Sequence, residues 1–96
     1  MRYSLMLEGQ EGVTWAQWLA IAQACERLGF EGLFTSDHYL SVVTTEPGSN
    51  DAWTLLGALA ASTERLRLGT MVSPVTFRTP SVLAKAATTV DRISNG

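Results

Sequence analysis

A single cysteine and a single histidine are the first things the sequence is short of, and each scarcity excludes something. Cys25 has no partner for an internal disulfide, so a reducing, cytoplasmic setting is the expectation. Cys25 and His38 stand far apart and form no metal-ligand spacing, so no metal site is expected. Seven Lys and Arg against nine Asp and Glu give a formal net charge of −2. Without a basic surplus there is nothing to neutralise nucleic-acid phosphates. No apolar run approaches the ~20 residues needed to cross a membrane. The opening Met1–Met6 carries one positive charge and its short apolar stretch is closed by Glu8, which does not read as a signal peptide. Neither a Gly-x-Gly-x-x-Gly fingerprint nor a Walker-type loop occurs, and Gly9 and Gly12 around Gln10-Glu11 have the spacing of a turn.

What is present is the composition of a folded protein, with 46% hydrophobic and 17% charged residues over 96 positions. That length holds one small domain, which buries only roughly 60–65% of its unfolded surface and is marginal alone. Three β-type runs, Tyr3–Leu7, Gly32–Ser36 and Arg67–Val72, begin about 30 residues apart, the period of a strand–helix unit. None alternates strictly, which suits parallel strands covered on both faces.

Between the runs lie three helical patterns. Thr14 and Gln17 have capping-box spacing, Trp15, Trp18, Leu19, Ala22 and Cys25 form a stripe, and Gly29 supplies the stop. A second helix opens near Asn50-Asp51 and turns Leu55, Leu56, Leu59 and Ala60 inward. A third has Thr79 as cap and Pro80 at its first position, with Val82, Leu83, Ala86, Val90 and Ile93 as its stripe and Asn95-Gly96 as its end. The order β-α-β-α-β-α implies right-handed crossovers and a parallel sheet. Two architectures fit: part of a (β/α)8 barrel, or a small doubly wound sheet. A whole barrel needs about 250 residues.

In both architectures function gathers beyond the carboxyl ends of the strands. Three segments occupy that rim: Glu8–Gly12, Ser36–Tyr39 and Ser73–Arg78. His38 is suited to moving a proton near neutral pH or to steadying negative charge; the alternative is a strand-end histidine bonding a carbonyl. Asp37 either accepts from a ring N–H or bonds backbone amides. Because neighbours at a strand end point apart, two separate contacts fit better than an Asp37–His38 dyad. Cys25, within an apolar stripe, reads as a buried hydrophobe. Trp15, Trp18 and Trp53 read as packing residues, Trp53 being the one near the rim. Arg78, just before Thr79-Pro80, is either an anion grip or a solvated side chain.

Ser36-Asp37-His38, the run Leu66–Lys85 and the closing Asp91–Gly96 resemble the luciferase-like monooxygenase superfamily, most of all its coenzyme F420-dependent branch. The resemblance implies the N-terminal β-α-β-α-β-α portion of a (β/α)8 barrel, with residues 1–96 forming a single partial barrel domain. It also implies hydride transfer between deazaflavin coenzyme F420 and an organic substrate. By that resemblance His38 is the active-site acid, base or charge stabiliser, and Asp37 lines the deazaflavin site. The Met71–Val72 bond matches the place where members of the family often carry a cis peptide behind the isoalloxazine ring, and Thr76 matches a rim residue near the cofactor. The same fold using FMN in an oxygen-dependent monooxygenase is the alternative; Asp-His, where flavin-dependent luciferases more often have Glu-His, favours F420. A third possibility is a non-catalytic truncated barrel that serves as a binding or assembly module or has no independent function. Three strands cannot close a barrel and leave an edge unpaired, so an isolated chain is expected to be inactive or to self-associate.

Overall fold

The computed structural model describes residues 1–45 and 48–96. The elements are β1 (Ser4–Leu7), α1 (Trp15–Leu28), β2 (Gly32–Thr35), α2 (Ala52–Ser62), β3 (Arg67–Thr70) and α3 (Pro80–Ile93). Every expected strand is present but shorter by one or two residues. Tyr3 lies outside β1, Ser36 already belongs to the rim, and β3 stops before Met71-Val72, whose peptide bond is cis.

Local chemistry sets the helix ends. The Thr14 hydroxyl accepts from the Gln17 amide at 3.2 Å, and the Gln17 side chain accepts from the Thr14 amide at 2.9 Å, completing the capping box. Gly29 ends α1 at φ 79°, where a Cβ would be strained, and the Phe30 amide reaches back to the Cys25 carbonyl at 3.0 Å. Asp51 caps α2 by accepting from the Thr54 amide at 2.9 Å. Thr79 occupies the cap position of α3 but makes no side-chain cap bond. The Pro80 ring that follows removes one of the free amides a cap would otherwise serve.

The sheet is parallel in the order β1-β2-β3, with Leu5, Leu33 and Leu68 in one register row and Met6, Phe34 and Gly69 in the next. Right-handed crossovers that all step in the same direction place every helix on the same face, whereas a doubly wound sheet must reverse its order. The chain is therefore a barrel segment. Leu33, flanked by Leu5 and Leu68, packs against Trp18, Ala22 and Cys25 of α1 and Leu55 and Leu59 of α2. Among the described residues no helix packs on the opposite face. There the Phe34 ring spreads over its neighbours, and a Cβ added to Gly69 would meet it at 3.1 Å. Burial pushes the Cys25 thiol up, in keeping with its place in the core.

Two expectations about side-chain faces need correction. Trp15 is 44% exposed, so the buried stripe of α1 reduces to Trp18, Ala22 and Cys25. In α3 only Val90 is buried, against Leu56 and Ala60 of α2, the helix α3 chiefly packs on. Val82 and Ile93 are left exposed.

At the end of the sheet away from the rim, one carboxylate organises the turn into β3. Glu26 of α1 accepts from the amides of Glu64, Arg65 and Leu66 at 2.7–3.1 Å. The Arg65 amide foremost, with those of Glu64 and Leu66 and the Arg65 charge, holds the Glu26 carboxyl below its ordinary 4.5 against the opposing effect of desolvation.

Two stability outcomes follow from this packing. Leu33→Ala is expected to lower the unfolding free energy by about 2–5 kcal/mol, and Leu28→Ala, at a position 73% exposed, by roughly 0.5 kcal/mol or less; urea titrations followed by tryptophan fluorescence compare them. For Glu26, the folded value is lowered, so the unfolded chain binds more protons as pH falls through the carboxylate range. Its contribution is present above pH 4.5 and is lost below it. Glu26→Gln should therefore lower the urea midpoint at neutral pH and flatten its acid decline; an unchanged pH profile would contradict this role.

Candidate active site at the strand rim

The rim is built where β2 and β3 end side by side, with the β1–α1 turn alongside. The Met71 amide still bonds the Thr35 carbonyl at 2.8 Å, carrying the β2–β3 pairing one step past the strands. Beyond that point adjacent residues of β2 part company, as alternation requires. Ser36 turns to the β1–α1 turn and bonds the side-chain oxygen of Gln10. Gln10 is almost fully buried and donates onward to Glu8 at 2.6 Å.

Asp37 faces the other way, toward the helix layer, and is 1% exposed. Arg78 grips it with both terminal nitrogens, one of them at 3.1 Å from Oδ1. The Ser73 hydroxyl donates to Oδ2 at 2.9 Å. That leaves Ser73 Oγ two acceptor sites, taken by the Trp53 indole N–H at 2.9 Å and by Thr70 Oγ1 at 2.8 Å. A serine has one proton to give, so Thr70 must be the donor in the last pair. Arg78 Nη2 also reaches Asp51, the α2 cap, at 2.8 Å. Desolvation works to raise the Asp51 carboxyl, but bonds from Thr54 and Arg78 outweigh it and leave it lowered. The bond to Asp37 first, and then Asp51, raise the Arg78 guanidinium further above its already high value. Above these pairs, the Tyr39 and Phe77 rings stack at 4.6 Å with 17° between planes, and Arg78 lies 5.5 Å from the Tyr39 centroid.

His38 is half-buried, and among the described residues its imidazole makes no hydrogen bond. Its carbonyl accepts from Ser49 at 2.8 Å, which fixes the backbone while leaving the ring available. Nearby, Glu11 accepts from Ser41 Oγ at 2.5 Å and the Val42 amide at 3.1 Å. The Ser41 bond foremost holds the Glu11 carboxyl low; desolvation opposes it, and the Val42 amide, Gln10 and the His38 charge add to the lowering. Met71 and Val72 are exposed, at 56% and 71%. Thr76 is exposed in the loop beyond them, in a turn closed by the Phe77 amide on the Pro74 carbonyl at 3.1 Å.

The rim thus brings His38, Met71 and Val72 to one edge, with Thr76 further along the same loop. It separates Asp37 from His38, and Asp37 has no free carboxylate oxygen to offer a ligand. Sequence reasoning passed over Gln10, Ser36, Glu11 and Ser73 as participants. Of the two readings of Arg78, anion grip or solvated side chain, the first holds, the anion being the Asp37 carboxylate; Arg78 is the only Lys or Arg in the three rim segments. Among the described residues no cluster of His, Cys, Asp or Glu could hold a metal, and no helix is long and apolar enough to cross a membrane.

An imidazole without a hydrogen-bond partner among the described residues, on the same rim as exposed apolar side chains, fits a flat heteroaromatic ring. The same residues do not fit a phosphate-bearing tail, because the rim's one guanidinium is spent on Asp37 and Asp51.

Residues 2–96 match the luciferase-like monooxygenase family. Over 76 residues the chain is 37% identical to a protein of Mycobacterium tuberculosis named as a coenzyme F420-dependent oxidoreductase, covering 79% of this chain and 19% of that protein. The coenzyme F420-dependent tetrahydromethanopterin reductase of Methanopyrus kandleri superposes with a TM-score of 0.82 at 22% identity, over 99% of this chain and 24% of the reductase. The chain thus spans about a fifth to a quarter of the length of these relatives. The superposition identifies the fold as a portion of a TIM barrel.

Removing the buried carboxylate should be costly, since it strands a guanidinium and orphans the Ser73 proton. Asp37→Ala is expected to destabilise by about 3 kcal/mol, as for breaking a buried pair, and Asp51→Ala, at a position 43% exposed, by clearly less; equal urea midpoint shifts would contradict this ranking.

Proposed function

The chain belongs to the luciferase-like monooxygenase family, and from that premise we propose that it supplies the ring-facing part of a coenzyme F420 site in an oxidoreductase. The observation that carries the reading is the placement, beyond the carboxyl ends of adjacent parallel strands, of an imidazole that makes no hydrogen bond among the described residues and of the exposed Met71-Val72 segment. Support for the deazaflavin over FMN comes from the two relatives, both named for coenzyme F420. When bound, the coenzyme exchanges a hydride with an organic substrate.

The chain's own residues then do three things. Met71 and Val72 form the surface against which the ring lies. His38, placed at its edge, holds or moves a proton at an imidazole nitrogen, or offsets negative charge there. Asp37 serves the site by tying the β3 loop to β2, and Thr76 lies further along that loop. The substrate is an organic molecule entering over this rim. Remaining barrel strands, or a second copy of the chain, are the partners that would cover the bare sheet face.

A titration of the purified chain with oxidised coenzyme F420, in parallel with FMN, tests this. Saturable binding of F420 in preference to FMN, weakened by His38→Ala, is the expected outcome. Preference for FMN would move the chain to the oxygen-dependent monooxygenase reading. Binding of neither would overturn the claim that these residues suffice for the ring and would favour a non-catalytic or dependent module.

A further inference from the structure

Several contacts converge on the nine-residue connection between β3 and α3. Ser73 joins it to Asp37, Trp53 and Thr70. Arg78 joins it to Asp37 and Asp51. Phe77 stacks on Tyr39, and Arg78 lies over the same ring. The anchors sit on both sides of Met71-Val72 in sequence or space: Thr70 just before, Ser73 just after, and Arg78 at the far end. Apart from Thr70 of β3 itself, their partners belong to the loop after β2 or to the cap and first turn of α2. The apolar side chains of this connection, Met71, Val72 and Val75, are meanwhile left exposed, at 56%, 71% and 81%. Apolar side chains that face solvent cannot hold a loop in place, so the polar anchors, with the Phe77–Tyr39 stack, must do so.

We propose that Arg78 and Ser73 are positioning residues: they clamp the Met71–Phe77 segment to the β2 rim and so set its separation from His38. The consequence for ring binding rests on the coenzyme reading above. The clamp depends on fork geometry. Only a planar guanidinium bonds Asp37 through two nitrogens while one of them also reaches Asp51; an ammonium is a point charge. Ser73 similarly acts through a single proton and two lone pairs, all three engaged.

The test uses the whole chain as wild type, Arg78→Ala, Arg78→Lys, Ser73→Ala and Ser73→Thr. Amide hydrogen exchange reads the clamp, with the Phe77 amide on Pro74 as the reporter inside the loop and the amides of α1 as the control. Coenzyme F420 titration reads the consequence. Arg78→Ala and Ser73→Ala should each speed exchange at Phe77 by on the order of tenfold while leaving α1 unchanged. Both should weaken F420 binding by a similar factor. Guanidinium ion at sub-denaturing concentration should restore binding to Arg78→Ala better than the lysine substitution does, and Ser73→Thr should remain near wild type. Unchanged exchange at Phe77 overturns the clamp whatever the coenzyme does. Faster exchange with undiminished binding overturns its positioning role. If the wild-type chain binds no F420, the coenzyme reading fails and the clamp is judged on exchange alone. If Arg78→Ala unfolds, shown by uniformly fast exchange in α1, Ser73→Ala and Ser73→Thr decide.

Discussion

A carboxylate taken out of water costs several kcal/mol unless its oxygens are fully bonded, and Asp37 is buried where β2 meets the helix layer. Arg78 and Ser73 offset that cost, and they come from the connection after β3, about 40 residues further along the chain. The arrangement makes one buried charge the reason three segments meet. Asp51 adds the start of α2 to the set and keeps its own helix-capping bonds at the same time. Loosening the pair would expose the Ser73, Thr70 and Trp53 bonds in turn, so the rim holds together as a unit.

Beneath the rim, chain direction does the remaining work. Short parallel strands linked by right-handed crossovers that never reverse give a curved layer with helices outside and a bare inner face. Leucine rows fill the outer side, and Phe34 with two glycines lines the inner one. Gly9 shows how tightly the β1 turn is drawn in: a Cβ there would stand 2.6 Å from the Thr35 hydroxyl and 2.9 Å from Trp18. The turn that ends in buried Gln10 is thereby pressed against the top of β2.

Much of this was legible in residue order. Helix starts at Thr14, Asp51 and Pro80 and the stop at Gly29 are local chemistry, and local chemistry is written in neighbouring residues. The choice between barrel segment and doubly wound sheet was not legible, because strand order is a long-range property that the β-α period leaves open. Exposure of Trp15, Val82 and Ile93 was missed for a related reason: helical spacing marks an apolar stripe but says nothing about whether a neighbour exists to cover it. At the rim, the reading that Asp37 and His38 point apart rested on strand alternation, which the backbone follows beyond the last paired residue. Ser73 and Gln10 escaped notice because a serine or glutamine becomes significant only through partners 26 to 36 residues away.

The distribution of charge along the strand axis has a kinetic side. Away from the rim, Arg2, Arg27, Arg65, Arg67 and Arg92 are nearly balanced by Glu26, Glu31, Glu64 and Asp91, and Arg2 and Arg67 both pair with Glu31. The rim carries Glu8, Glu11, Asp37 and Asp51 against Arg78 alone. A ligand bearing phosphate would therefore meet repulsion at the mouth, so its diffusional encounter runs uphill. Added salt, which slows most steered associations, would here quicken arrival by shielding the carboxylates.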